Sequence, residues 1–188
     1  MENKLVIDKS WTLFLDRDGV INKRLVDDYV KSWEEFEFLE NVPETIAHCS
    51  HLFGTIVVVT NQQGIGKGLM SDADLRNIHE NMTAEIKLHG GRIDKVYYCP
   101  KLKDQTPNCR KPLPFMGLQA QKDFPTIDFS KSVMVGDSIS DMEFGEALGM
   151  HNVYITPDPY KSDAKVTRFE TTKLQDLTSI LQDKGDLQ

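Results

Sequence analysis

Two aspartates, Asp16 and Asp18, follow directly on an apolar run at residues 13–15. The run predicts a buried parallel strand that ends at the first carboxylate. Ligands of open α/β sheets bind beyond the carboxyl ends of the strands, so both acids can share one site. One carboxylate can then attack a substrate while the other transfers a proton. The alternative is that both are turn or capping residues, which are common at strand ends.

A second polar segment begins at Thr60, after the β-branched run at residues 55–59. Thr60 offers a hydroxyl, and the backbone that follows through Asn61 and Gln62 can turn its N–H groups toward an anion. The glycines of this segment match neither the dinucleotide-binding fingerprint nor a P-loop. A flexible loop is the alternative interpretation.

A third apolar run, at residues 132–135, is followed by Asp137 and Asp141. Two acids four residues apart suit Mg²⁺, which takes a few carboxylate oxygens together with water and phosphate. Asp137 stands at the strand end. Asp141 has a competing interpretation as a first-turn acid that the helix dipole favours.

Two adjacent cations, Arg110 and Lys111, precede Pro112. Such a pair can neutralise a phosphoryl group. Taken alone, it is more often solvated surface. It gains meaning here because the other three segments require a cation.

These four segments, in this order, resemble the sequence motifs of the haloacid dehalogenase superfamily. The resemblance covers residues 16 to about 150 and rests on Asp16 through Asn22, Val59 through Gln62, Arg110 through Pro112, and Gly136 through Asp141. The second acid of the first motif is typical of phosphatases and phosphotransferases. A non-catalytic binding domain would not need both acids.

The resemblance implies a role for each motif residue. Asp16 would attack phosphorus, and Asp18 would act as general acid and base. Thr60 and Lys111 would hold the transferring oxygens, and Mg²⁺ would bind Asp16, Asp137 and the carbonyl oxygen of Asp18. The residues expected to contact substrate are Asn61, Gln62, Arg110 and Lys111. Asp141 is expected to orient Lys111 or a metal-bound water.

Within the superfamily, the chain resembles the branch of D-glycero-D-manno-heptose 1,7-bisphosphate and histidinol-phosphate phosphatases. The shared phrases are Asp-Arg-Asp-Gly-Val-Ile-Asn, Thr-Asn-Gln-Gln-Gly-Ile-Gly and Cys-Arg-Lys-Pro. The segment Asp28-Tyr29-Val30 is closer to the heptose enzymes. The resemblance therefore implies a heptose bisphosphate 7-phosphatase. Histidinol-phosphate phosphatase is the alternative, followed by a phosphatase of nucleic-acid 3′ ends.

The chain departs from that branch in the loop that usually carries zinc. Relatives have Cys-x-His and then Cys-x-Cys before Arg-Lys. Here Pro100 and Lys101 follow Cys99, and Pro107 stands where the earlier cysteine of the second pair is expected, while Cys109 remains. A structural zinc site needs about four ligands, so we expect no zinc and a loop held by packing.

The elements that must position these residues alternate between strands and helices, which predicts an α/β fold with a parallel sheet. The resemblance makes this a Rossmann-like sheet flanked by helices. Spacing between the motifs leaves no room for an inserted cap domain, so the expected site is open. Strands are predicted at residues 12–15, 55–59, 95–98, 132–135 and 152–155, and helices at 42–52, 72–89, 116–122, 140–148 and 173–182.

Composition limits the class of protein. The 188 residues predict one domain spanning 1–188, and 39% hydrophobic and 27% charged residues are ordinary for a globular protein. A net charge of −7 argues against nucleic-acid binding. We find no apolar stretch long enough for a membrane span and no signal peptide. We therefore expect a cytoplasmic monomer with its three cysteines reduced.

Overall fold

The strands and helices alternate along the chain. This computed structural model describes residues 4–156 and 169–187. Its strands are β1 (Leu5–Ile7), β2 (Thr12–Leu15), β3 (Thr55–Asn61), β4 (Lys95–Cys99), β5 (Ser132–Gly136), β6 (His151–Ile155), β7 (Phe169–Thr171) and β8 (Leu181–Asp183). Its α-helices are α1 (Val42–Leu52), α2 (Gln63–Gly66), α3 (Asp72–Leu88), α4 (Phe115–Asp123), α5 (Ile139–Leu148) and α6 (Leu177–Ile180).

A six-stranded sheet with the order β4-β3-β2-β5-β6-β7 forms the centre of the fold, and all its pairings are parallel. Helices flank it, so the predicted α/β class is confirmed. The chain enters at β2, runs outward through β3 and β4, and returns to β5 on the other side of β2. This reversal places the switch point of the topology between β2 and β5, where ligands of such sheets bind.

Alternation along the central strands divides the core between the two faces of the sheet. Leu13 and Leu15 face one apolar cluster together with residues of α1 and α3. Phe14 faces the other cluster together with residues of α4 and α5. Because helices cover both faces of the sheet, the central strands are apolar throughout, and such strands are easily predicted from sequence.

The predicted spans agree closely with the structure up to β6. The first strand and the helix at 42–52 have the predicted bounds, and the other spans differ by one or two residues. Ser71 caps α3, because its hydroxyl accepts from the Asp74 backbone N–H at 3.1 Å. Gly149 ends α5 in the left-handed region with φ of 76°.

The helix predicted over residues 173–182 is wrong. Its residues instead form a 3₁₀ turn (Leu174–Asp176), the one-turn helix α6, and the strand β8. β8 pairs in parallel with β1, whose Leu5 lies opposite Leu181, and the two make a separate two-stranded sheet. The backbone hydrogen bonds that β1 offers are gained only in strand geometry, and they outweigh the helical spacing of the leucines.

The loop at residues 100–114 is cross-linked, so the prediction of reduced cysteines is wrong for two of the three. Cys99 and Cys109 form a disulfide with their Cα atoms 5.5 Å apart, and Cys49 is a buried free thiol. The loop is also hydrogen-bonded, since the Asn108 side-chain amide donates to the carbonyl of Leu102 at 2.8 Å. The prediction that packing holds this loop is therefore incomplete, because the disulfide and the hydrogen bond hold it as well.

The segments that could carry a cap domain are short. The described chain between β2 and α1 contains a 3₁₀ turn (Trp33–Glu35) and loops, with no inserted domain. Between β3 and β4 lie only α2 and α3. Among residues 4–156 and 169–187, no helix is both long and apolar enough to cross a lipid bilayer.

Candidate active site

The polar residues predicted from the sequence converge at the carboxyl edge of the central sheet. Asp16 follows β2, Thr60 lies near the end of β3, and Asp137 follows β5. Lys111 reaches the same point from the loop after β4. Parallel pairing of β3, β2 and β5 brings these strand ends together, at the switch point of the topology.

Lys111 is buried at the centre of this cluster, with a side chain only 2% exposed. Its ammonium lies 2.7 Å from Asp16 Oδ1 and 2.6 Å from Asp141 Oδ1, and it donates to the Val59 carbonyl at 2.7 Å. Burial acts to lower the pKa of Lys111, but the charges of Asp141 and Asp16 outweigh it and raise that pKa. The site therefore contains a permanent cation beside the Asp16 carboxylate.

Asn61 fixes the backbone that carries this cation. Its side-chain oxygen accepts from the Lys111 backbone N–H at 2.9 Å, and its amide donates to the Lys111 carbonyl at 3.3 Å. Asn61 also lines the pocket. It thus joins β3 to the loop that supplies Lys111.

Asp18 is held by three neighbouring side chains. Arg17 Nη2 donates to both Asp18 oxygens, at 2.8 and 3.0 Å, and the amides of Asn22 and Gln62 donate at 3.0 and 2.8 Å. Burial acts to raise the pKa of Asp18, but the charge and hydrogen bonds of Arg17 outweigh it, and this pKa lies below its usual range. Asp18 is therefore an oriented carboxylate on the pocket wall.

Gln62 lies elsewhere than the sequence predicted. Its side chain is buried, and its amide donates to Thr60 Oγ1 at 2.8 Å as well as to Asp18. Gln62 is not among the described residues that line the pocket, whereas Gln63 is. Gln62 therefore bonds to two residues that line the pocket, Asp18 and Thr60, instead of lining it as expected of a residue that contacts substrate.

Three carboxylates lie close enough to share one metal ion. Asp16, Asp137 and Asp141 each offer an oxygen, and these oxygens lie within 4.8 Å of one another. All are hard ligands of the type Mg²⁺ prefers. Arg24 Nη2 is an ion-pair partner 3.0 Å from Asp137 Oδ1. The donor set fits Mg²⁺, and within it Asp141 is also an ion-pair partner of Lys111.

Crowding of these carboxylates raises the pKa values of two of them, Asp16 and Asp137. Burial, reinforced by the charge of Asp141 and opposed by that of Lys111, raises the pKa of Asp16 to about 6. Burial and the charge of Asp16 raise the pKa of Asp137 to about 8. A divalent cation would offset this repulsion, because it binds the ionised form of each group.

An open pocket of about 480 Å³ lies above the carboxylates. Its wall carries Arg24, Lys67 and Arg110, three cations beyond Lys111. Tyr29 stands among them: its hydroxyl accepts from Gln63 Nε2 at 2.7 Å, and Lys67 Nζ lies 5.1 Å from its ring centre. The pocket therefore has an acidic floor and a basic wall.

Several wall residues were not identified as site residues from the sequence. Arg24, Gln63 and Lys67 carry no local signal beyond their place in polar loops. Tyr29 belongs to the segment Asp28-Tyr29-Val30, which the sequence analysis uses only for its resemblance to the heptose enzymes. Arg110, which the sequence analysis expects to contact substrate, also lines the wall.

Comparisons with known proteins agree with this geometry. A family model described as HAD-hydrolase-like matches residues 108–177. A D-glycero-alpha-D-manno-heptose-1,7-bisphosphate 7-phosphatase of Mycobacterium bovis is 42% identical over 143 residues, covering 76% of this chain and 73% of the relative. A D-glycero-beta-D-manno-heptose-1,7-bisphosphate 7-phosphatase of Vibrio cholerae is 40% identical, covering 73% and 76%.

A solved structure extends the likeness to three dimensions. The D,D-heptose 1,7-bisphosphate phosphatase of B. bronchiseptica, complexed with magnesium and phosphate, aligns with a TM-score of 0.77 at 28% identity. The alignment covers 90% of this chain and 96% of that one. From its motifs, its fold and these relatives, the chain belongs to the heptose bisphosphate phosphatase family of the HAD-like hydrolases.

Proposed function

We propose that this protein is a Mg²⁺-dependent phosphatase that removes the 7-phosphate of D-glycero-D-manno-heptose 1,7-bisphosphate. The observation that carries the proposal is the buried cluster in which Asp16 lies against Lys111 and beside Asp137. An attacking carboxylate, a fixed cation and a metal-binding set within one pocket are the parts that phosphoryl transfer requires. We take the substrate from the relatives, which are named as heptose-1,7-bisphosphate 7-phosphatases.

The reaction proceeds in two steps. Asp16 attacks phosphorus, its oxygen forms a bond to phosphorus, and the ester bond to the sugar oxygen breaks. The leaving oxygen takes a proton from Asp18. Water then attacks the phosphorus of the aspartyl-phosphate, Asp18 takes the water's proton, and Asp16 is regenerated as phosphate leaves.

Asp18 needs a proton before the first step, although its neighbours hold it ionised. A phosphate monoester, whose second pKa is about 6, carries one into the site in its monoanionic form. Lys111 and Thr60 hold the transferring oxygens while the proton moves. Asp141 holds the same Lys111 ammonium through a second ion pair, at 2.6 Å.

Magnesium would be held by Asp16 and Asp137, together with the carbonyl oxygen of Asp18 that the family resemblance implies. When bound, it supplies positive charge that offsets the repulsion between a carboxylate nucleophile and an anionic phosphate. Asp141 completes the acidic set on the same side of the pocket.

The basic wall suits a second phosphate. Arg110 and Lys67 both line the pocket, and a monophosphate bound at Asp16 and Lys111 would leave them unpaired. A bisphosphate would place its remote phosphate against them. This favours a sugar bisphosphate over histidinol phosphate, which has one phosphate and an amine.

The remaining properties follow as proposals of the same kind. We propose that residues 1–188 act as one domain, because the β1–β8 sheet packs into the core of the central sheet. The cytoplasmic location and the monomeric state remain proposals from the sequence alone. The net charge of −7 supports no role in binding nucleic acid. We also propose that the loop binds no zinc. Cys99 and Cys109, the two cysteines that the chain keeps from the zinc-binding pattern, are joined in a disulfide.

A comparison of substrates tests the function. We would measure kcat/KM with Mg²⁺ for both anomers of the heptose bisphosphate, for histidinol phosphate and for a 3′-phosphorylated oligonucleotide. We expect one heptose anomer to exceed the others by at least about tenfold, or roughly 1.4 kcal/mol in transition-state binding. A higher value for histidinol phosphate would overturn the heptose assignment and leave the phosphatase class standing.

A further inference from the structure

A buried guanidinium connects Asp18 to helix α3. Arg17 is fully buried, and on one side it donates to both oxygens of Asp18. On the other side its Nη1 lies 3.2 Å from Nε2 of His79, which is itself buried on α3. Residues 17 and 79 are thus joined through a contact that the catalytic scheme does not use.

The chemistry of the pair fixes the state of the imidazole. A guanidinium has donors and no acceptor, so Nε2 of His79 must accept, and the ring must be neutral with its proton on Nδ1. Burial and the charge of Arg17 lower the pKa of His79 to about 3, which agrees with that state. His79 is therefore a neutral hydrogen-bond acceptor at neutral pH.

His79 lies outside the pocket that holds the carboxylates. It borders a shallow groove on the far side of Arg17, beside Arg76 and Glu80 of its own helix and Tyr98 of β4. The His79 and Tyr98 rings are tilted, with their centres 6.1 Å apart. Its only described hydrogen bond toward these groups is the one to Arg17.

We propose that His79 is a positioning residue for the reaction: it fixes the Arg17 guanidinium, which in turn orients the carboxylate of Asp18. Without an acceptor at position 79, the Nη1 group of a buried guanidinium would lack a partner, and leaving it so is costly. Arg17 would then shift toward another acceptor, and Asp18 would lose its bidentate partner. The inference rests on the proposed function insofar as Asp18 transfers the proton.

If Asp18 transfers the proton, a variant that disturbs Asp18 should affect alkyl and aryl phosphates differently, whereas general unfolding should affect both equally. An alkyl phosphate releases a strongly basic alkoxide, which needs the proton of Asp18. p-Nitrophenyl phosphate releases a weakly basic aryl oxide, which leaves without it. Because kcat/KM reports the steps up to release of the first product, damage to Asp18 should lower kcat/KM for the alkyl substrate selectively.

Two variants separate the hydrogen bond from the packing. His79→Leu fills the space without an acceptor, and His79→Gln keeps a neutral acceptor at about the same reach. We expect His79→Leu to lower kcat/KM at least about tenfold for the alkyl phosphate and less than about threefold for p-nitrophenyl phosphate, a loss within the range of general acid catalysis. His79→Gln should restore most of it.

Thr83→Val is the matched control, because the Thr83 hydroxyl bonds to the His79 carbonyl at 2.9 Å without contacting Arg17. It should leave the ratio of the two substrates unchanged. Equal losses on both substrates in His79→Leu, or no rescue by His79→Gln, would overturn the proposal. If His79→Leu fails to fold, the substrate ratio of His79→Gln, compared with that of His79→Ala, decides the question.

The comparison stays separate from the heptose assignment. The alkyl substrate is whichever sugar phosphate the unmodified protein hydrolyses best in a panel. Inactivity of the unmodified protein on heptose bisphosphate would contradict the proposed substrate alone. A change in the ratio of alkyl to aryl substrates would still report on His79.

Discussion

In the proposed mechanism, the attacking carboxylate of Asp16 is already paired with the Lys111 ammonium before substrate binds. Lys111 touches both Asp16 and Asp141, so one ammonium lies between two acids. Its burial means that little water has to be displaced when a phosphoryl group arrives, and a preorganised charge of this kind is where enzymes gain most of their electrostatic effect. The arrangement also makes Asp16 the most informative residue to replace.

Replacing Asp16 by Asn should abolish turnover while leaving the fold intact. The amide retains the shape of the side chain and an oxygen that can accept from Lys111, but it is not a nucleophile. We expect kcat to fall by at least about 10³-fold, as nucleophile losses do. The measurement is steady-state phosphate release, with circular dichroism to confirm folding. The exposed Asp128→Asn variant should retain full activity, and near-normal turnover by Asp16→Asn would contradict the mechanism.

Magnesium affinity should rise with pH. The pKa values of Asp16 and Asp137 are raised to about 6 and about 8, so protons must leave before the cation binds. Above the unfolded-state pKa of either group, the metal-free fold loses stability as pH rises through these values, and bound Mg²⁺ should restore it. Titration calorimetry at pH 6 and pH 8, in buffers of different ionisation enthalpy, would detect the released protons.

A control for that titration is Asp137→Asn, which removes the group with the higher pKa. It should weaken binding and flatten the pH dependence between pH 6 and pH 8. An affinity that does not change with pH in the unmodified protein would show that Asp16 and Asp137 do not bind the ion.

At the scale of elements, the loop after β2 must pass very close to the end of β5. Gly19 has φ of 94°, and a Cβ added there would lie 1.8 Å from Asp137 Oδ2. Position 19 therefore requires glycine for two reasons: the backbone has a positive φ, and the Asp137 carboxylate leaves no space for a Cβ. The distance between these two loops sets the geometry of the metal-binding carboxylates.

Gly19→Ala should damage the metal site more than it damages the fold. Gly90 provides the matched control, because it also has a positive φ, of 83°, with nothing within 4 Å of an added Cβ. Each substitution should cost about 1–2 kcal/mol of stability from backbone strain. Only Gly19→Ala should also lower Mg²⁺ affinity and turnover, by about tenfold or more if the added strain on binding reaches 1.4 kcal/mol. Equal Mg²⁺ affinity in both variants would contradict the argument.

The elements also show what sequence can and cannot predict here. The strand ends were predictable, because a buried parallel strand followed by an acid is a local signal, as at Asp16 and Asp137. The wall residues Tyr29 and Lys67 were not, since their approach depends on how two loops fold over the sheet. Leu174, Leu177 and Leu181 have helical spacing, and only the distant partner β1 makes the last of them part of a strand.

At the scale of the whole molecule, the β1–β8 pair packs into the apolar core on one face of the central sheet. Leu5 and Ile7 from one strand and Leu181 from the other are buried in the same apolar cluster as the central strands. Leu174 and Leu177 join them from the turn and helix before β8. The two ends of the described chain thus contribute to global stability.

Leu177→Ala should therefore destabilise the whole protein. Leu177 is 1% exposed, and truncating a buried leucine costs about 2–5 kcal/mol. Urea unfolding followed by fluorescence would measure the loss as a lower midpoint. Leu88→Ala is the control, because Leu88 is 80% exposed at the end of α3, and it should change stability little. A loss below about 1 kcal/mol for Leu177→Ala would mean that this end is not part of the cooperative unit.

The same pairing has a consequence for the order of folding. Residues 5–7 are synthesised long before their partners at 181–183. The six-stranded sheet contains none of these residues, so its central strands can assemble first, while β1 remains an unpaired edge. Contacts between such distant residues form slowly, because a long chain must be ordered before they contribute. We therefore expect this small sheet to close after the central strands have assembled, and until then the growing chain exposes a strand that other chains can pair with.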